Sequence, residues 1–159
     1  VYNRTSAKAE AWAAQHVGAH AATPAAAATG ADFVFCCVGD DPDVLAVALS
    51  DEGAIPAMKP GAVFIDNSTI SADVARQLNA AGQDYGVMTL DAPVSGGQAG
   101  AENGKLTVMV GGDDAAYAIA LPVMQCYGAR VVHMGGRRTR PTGQDGQSNL
   151  YRRAGAKPV

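Results

Sequence analysis

The stretch AVFIDNSTISADVARQLNAA, residues 62–81, decides how the rest of the chain is read. Ala62 to Asp66 form a short apolar run closed by a carboxylate. That suits a strand buried on both faces, as in a parallel sheet. Asn67-Ser68-Thr69-Ile70 follow as a turn, and a helix is expected over residues 71–81.

Working outward, the same order repeats. Residues 32–38 (Asp-Phe-Val-Phe-Cys-Cys-Val) make another continuous apolar run, expected to be a strand buried on both faces. It is closed by Gly-Asp-Asp-Pro and followed by a short helix over 43–49. Val1-Tyr2 reads as the end of a strand, and residues 6–15 as a helix with Ser6 as its N-cap. Downstream, strands are expected over 86–91, 105–110 and 130–134, with a helix over 115–124. Strand-helix alternation at this spacing predicts an α/β fold with a doubly wound, mostly parallel sheet.

Bulk properties agree with one globular domain. The chain has 159 residues, 48% hydrophobic and 17% charged, enough for a substantial core. Its apolar runs are far too short to span a bilayer. No basic start followed by an apolar stretch suggests secretion, so a cytoplasmic protein is expected. Three cysteines, two of them adjacent (Cys36 and Cys37), fit neither a disulfide set nor a metal site and read as reduced core thiols. His16, His20 and His133 match no metal spacing and read as structural; Trp12 and the methionines read as core.

In open α/β sheets ligands bind beyond the carboxyl ends of the strands. Four such ends carry small polar residues: Asn3-Arg4-Thr5, Gly39-Asp40-Asp41, Asn67-Ser68-Thr69 and Ser95-Gly96-Gly97. Any one of them is ordinary turn chemistry; four in succession point to a shared ligand site.

The run DAPVSGGQAGAENGKLTVMVGG, residues 91–112, strongly resembles the substrate-site signature of the β-hydroxyacid dehydrogenases. That family includes 3-hydroxyisobutyrate dehydrogenase and tartronate semialdehyde reductase. VYNRT (1–5), VGDD (38–41) and DNSTI (66–70) fall in the family's order and spacing. The resemblance implies a Rossmann-like domain and NAD(P)-dependent interconversion of a small 3-hydroxy acid and its semialdehyde. It implies cofactor contacts at Asn3, Arg4, Thr5, Val38, Gly39 and Thr69. Ser95, Gly96 and Gly97 would hold the substrate carboxylate in a small anion nest. Asn3-Arg4 offers no carboxylate for a ribose 2′-hydroxyl, while an Arg accommodates a 2′-phosphate, so NADP is preferred over NAD. A homo-oligomeric parent enzyme with no membrane attachment is expected. Reductases of glyoxylate, succinic semialdehyde or an imine are the close alternatives.

The chain departs from the family twice. The family opens with a strand and a Gly-x-Gly-x-x-Gly turn that cradles the pyrophosphate. Nothing like it precedes Val1, so residues 1–136 are expected to be a partial NAD(P)-binding domain, folding poorly and binding cofactor weakly. At the other end the family continues into a helix carrying a Lys-Met-Val-Asn-type motif, whose Lys is the general acid/base. Residues 137–159 (RRTRPTGQDGQSNLYRRAGAKPV) contain no such motif, and the helical domain that follows it in the family is expected to be absent.

Those final residues also reverse the charge. Residues 1–136 carry six Lys and Arg against fourteen Asp and Glu, a net of −8; residues 137–159 carry six against one, a net of +5. A nucleic-acid-binding tail on a non-catalytic NADP-binding module is one reading, weakened by the scatter of its arginines. A disordered linker is another. The favoured reading is a shifted frame. With permitted synonymous codons, starting each codon one base later turns Arg140 to Asp145 and beyond into Gly-Gln-Leu-Ala-Lys-Met-Val-Asn-Gln. That resembles the family's catalytic helix, with the Lys codon spread over Gln144 and Asp145. The chain as written is therefore expected to be inert, with no catalytic residue in this frame.

Overall fold

The structure is a computed structural model and describes residues 1–135. Along them run α1 (Ser6–Gln15), α2 (Pro24–Ala28), β1 (Phe33–Cys36), α3 (Asp41–Leu49), α4 (Ala54–Ala57), β2 (Val63–Asp66) and α5 (Ala72–Asp84). There follow β3 (Met88–Asp91), β4 (Val94–Ser95), α6 (Gly97–Glu102), β5 (Leu106–Val110), α7 (Asp114–Met124) and β6 (Gly128–His133).

Strands β1, β2 and β3 lie side by side and parallel, with β2 central. β5 pairs antiparallel with β4 and parallel with β6. One antiparallel register joins the two groups. Asp91 pairs with Gly111, Val94 with Val108 and Ser95 with Thr107, while Met109 N–H donates to the Pro93 carbonyl at 3.0 Å. Residues 88–95 thus act as one strand broken at Pro93, which has no N–H to give the ladder. β4 therefore continues in the direction of β3, beyond the carboxyl end of the parallel strands.

Alternate residues of β2 feed opposite faces, as strand geometry requires. Phe64 packs with Val44, Ile55, Val74 and Leu78, on the face covered by α3, α4 and α5. Val63 and Ile65 pack with Leu90, Val108, Ala116 and Met124, on the face covered by α7. Helices on both faces of a mostly parallel sheet make this the doubly wound architecture expected.

Several local expectations change. All four residues of β2 are buried, but β1 is not buried on both faces: Phe35 is 40% exposed. Among the described residues only β2 pairs with β1, and an edge strand is covered from one side only. Thr5, not Ser6, is the N-cap of α1. α3 begins at Asp41, earlier than expected, because Pro42 fits a first turn that needs no N–H. α5 starts behind Ser71, whose hydroxyl accepts from Val74 N–H, and runs on to Asp84. Trp12 is not core: it is 42% exposed and lies against His16. Of the thiols only Cys36 is buried; Cys37 and Cys126 are exposed. Neighbours along an extended chain point to opposite sides, so the adjacent pair could not share one environment. Val1-Tyr2 is not part of a named strand, yet Val1 bonds like one, its carbonyl accepting from Ala21 N–H at 2.8 Å and its amino group donating to Ala19 at 2.6 Å.

Candidate functional site

The carboxyl ends of β1, β2 and β3 are stitched together by buried polar residues. Asp66 Oδ1 accepts from Ser68 N–H at 2.9 Å, which turns the chain sharply as β2 ends. The turn aims Ser68 Oγ at β1's end, where it accepts from Val38 N–H at 2.9 Å. Asn67 reaches the other way, its Nδ2 donating to the Ala92 carbonyl beyond β3 at 2.7 Å. Asp66, Asn67 and Ser68 are all buried, and such groups persist in an apolar interior only when hydrogen-bonded. They hold two of the predicted segments in place. Thr69, between buried Ser68 and Ile70, is left exposed.

A second set of contacts brings in the amino-terminal segment. Asn3 Oδ1 accepts from Thr5 N–H at 2.9 Å, setting the turn into α1. Arg4 Nη1 pairs with Asp43 Oδ1 on α3 at 2.7 Å. A Cβ added at Gly39 would lie 3.0 Å from the other Asp43 oxygen, so that carboxylate stands over Gly39. Asp40 Oδ1 caps α3 by accepting from Asp43 N–H at 3.1 Å, and Asp41 Oδ1 accepts from Ser71 N–H at 2.8 Å. Asn3, Arg4, Thr5, Val38, Gly39 and Thr69 are thereby gathered on one rim.

Ser95, Gly96 and Gly97 follow β3's direction out from that rim, at the junction of β4 and α6. Gly96 and Gly97 have φ of 136° and 61°, values that a side chain rarely allows. The N-cap of α6 is Gly96, which has no side chain with which to cap the helix. A separate groove between α5 and the β3–β5 junction, lined by Ala75, Arg76, Asn79, Thr89 and Gly112, includes none of the candidate residues.

Two thiols and a phenol near the rim are shifted towards their neutral forms. Burial, with the Asp66 carboxylate adding to it, pushes the Cys36 thiol up to about 12. Partial burial of the thiol within an otherwise exposed residue, and then the Asp66 carboxylate, raise Cys37, and burial raises Tyr127. Neither thiol is poised as a thiolate at neutral pH. The lysines among the described residues are Lys8 on α1, Lys59, paired with Asp32, and Lys105 just before β5. The rim thus offers a guanidinium, an exposed hydroxyl and glycine turns, a set for binding a polar, anionic ligand. Sequence reasoning missed Asp43 and Ser68. The Asp-x-Ser spacing of 66–68 was the visible hint of the second; nothing local ties Asp43 to Arg4. The readings made on residues 137–159 lie outside the described residues.

Polar segments gathered at the carboxyl ends of a doubly wound sheet define a Rossmann-like dinucleotide-binding fold. Residues 1–136 match the NAD binding domain of 6-phosphogluconate dehydrogenase, and the chain belongs to that family. It is 52% identical over 127 residues to an uncharacterized oxidoreductase of Shewanella frigidimarina, covering 80% of this chain and 44% of that one. It is 41% identical over 119 residues to the NAD-dependent L-serine dehydrogenase of Pseudomonas aeruginosa, covering 74% and 40%. The structure of Mycobacterium tuberculosis 3-hydroxyisobutyrate dehydrogenase with L-serine superposes with a TM-score of 0.78 at 29% identity, covering 96% of this chain and 49% of that one. The chain thus spans about half the length of the relatives it matches.

Proposed function

We propose that this chain is the cofactor-binding domain of an oxidoreductase that interconverts a small 3-hydroxy acid and its semialdehyde. The observation that carries the reading is the rim itself. Ser68 ties β1's end to β2's, Asn67 ties β2's to β3's, and the substrate-type signature leaves that same end. The fold fits a nicotinamide dinucleotide: Arg4 offers charge and Thr69 an exposed hydroxyl, and Gly39, itself without a side chain, lies beneath the Asp43 carboxylate. When bound, that cofactor supplies or removes the hydride. Asn3, Arg4, Thr5, Val38, Gly39 and Thr69 would hold it. Val38 would do so by contact rather than by its N–H, which Ser68 already takes. Ser95, Gly96 and Gly97 would orient the substrate carboxylate. A cytoplasmic, homo-oligomeric parent belongs to the same proposal; the free thiols of Cys36, Cys37 and Cys126 support the reducing compartment.

Hydride transfer also needs a group to move the hydroxyl proton. Residues 137–159 as written supply no Lys in the family's motif, and we read them as out of frame. Sequencing the coding DNA across codons 134–146, and assaying a frame-restored gene with 3-hydroxyisobutyrate and NADP or NAD, tests both points. The expected result is a one-base slip, with turnover only after its correction. Replacing the restored lysine by alanine should then cost about 100-fold or more in kcat. An uninterrupted frame, confirmed by the peptide mass of the tail, overturns the frame reading; a restored protein that binds neither cofactor overturns the proposed function.

A further inference from the structure

A strand end with Arg4 and no carboxylate favours a 2′-phosphorylated cofactor. Folding delivers a carboxylate to that place from another element. Asp43, in the first turn of α3, sits 2.7 Å from the Arg4 guanidinium, across 39 residues of chain. Its second oxygen stands over Gly39. The neighbouring acids are engaged elsewhere, Asp40 in capping α3 and Asp41 on Ser71 N–H. Of the three acids it is Asp43 that pairs with Arg4, and its carboxylate lies between Arg4 and Gly39.

We propose that Asp43 is a specificity-determining residue, setting the balance between NADP and NAD by competing with a 2′-phosphate for Arg4. The inference rests on the cofactor reading given above. A 2′-phosphate carries nearly two negative charges and seeks the guanidinium fork. With Asp43 in place it must displace that carboxylate or lie beside it, like charge against like. An unphosphorylated ribose meets no such conflict, and its 2′-hydroxyl can donate to a carboxylate. The pair is displaceable, because the Arg4 side chain is 82% exposed and solvent screens it. Asp43 thus acts as a counterweight, letting one site take either cofactor.

The adenosine half isolates the effect. Adenosine 2′,5′-bisphosphate and ADP are titrated into the 159-residue chain and followed by amide chemical shifts, which read weak binding. Asp43→Asn should tighten the bisphosphate roughly threefold to tenfold, with ADP unchanged or slightly weaker. The gain should shrink with added salt and vanish when Arg4→Ala is added. Asp43→Ser, with a spectrum superposable on the wild type away from the rim, serves as a second variant. If both ligands bind and their ratio does not move, or if the gain persists without Arg4, the role of Asp43 is overturned while the cofactor site stands. If neither ligand binds any form, the cofactor reading falls and this inference with it.

Discussion

Single side chains at the rim act mainly by fixing backbone. Ser68 is 2% exposed, and its hydroxyl satisfies the Val38 amide between two strand ends. Ser68→Ala should leave a half-buried donor unpaired and lower stability by about 1–3 kcal/mol. Urea denaturation checks this: the midpoint should fall at an unchanged slope. An unmoved midpoint would mean that Val38 finds another acceptor. At this scale the sequence does not tell which of two adjacent hydroxyls folding turns inward. Thr69 is exposed, while the buried Ser68 beside it ties the ends of β1 and β2 together. Asn67 and Ser68 are both buried and Thr69 is exposed, and which hydroxyl points in depends on where β1 lies.

Among the elements, the ladder between residues 88–95 and β5 carries most consequence, because it extends the parallel sheet towards Ser95–Gly97. Gly112 closes that ladder with φ of 147°, and a Cβ there would lie 2.5 Å from Leu90 Cδ2. Both strain and overpacking oppose a side chain. Gly112→Ala should destabilise the protein by about 2 kcal/mol or more. Gly61 provides the contrast, since its φ is also positive (85°) but nothing lies within 4 Å of a Cβ. Gly61→Ala should cost only about 1 kcal/mol. Thermal unfolding of the two variants side by side tests the difference, and equal losses would show that crowding at Leu90 relaxes freely. Sequence patterns found the long elements within a few residues. They did not find β4 or α6, because two- and six-residue elements are too short to display a period.

For the whole molecule, β2 joins both halves of the core. Phe64 is fully buried on the face of α3 and α5, and Ile65 on the face of α7. Phe64→Ala should cost about 3–5 kcal/mol and Ile65→Ala about 2–5 kcal/mol. Both should shift one cooperative transition, measured by circular dichroism in urea. Two separable transitions, each moved by only one variant, would show instead that the faces unfold independently. The charge contrast between residues 1–136 and 137–159 also belongs to this scale. It is the compositional feature on which the proposed change of reading frame rests.

The sequence by itself determined the alternation of strands and helices, the burial of β2, the positions of the polar strand ends and the family. Those properties depend on local composition and order, which the chain carries wherever it folds. Only the tertiary structure decided that β1 leaves Phe35 exposed, that Trp12 stays outside the core, that Ser68 rather than Thr69 locks two strands, and that Asp43 sits on Arg4. Each of these depends on residues far apart in the chain meeting in space. An ion pair spanning 39 residues leaves no periodicity or motif, because the sheet and helix packing that create its geometry are set by other residues.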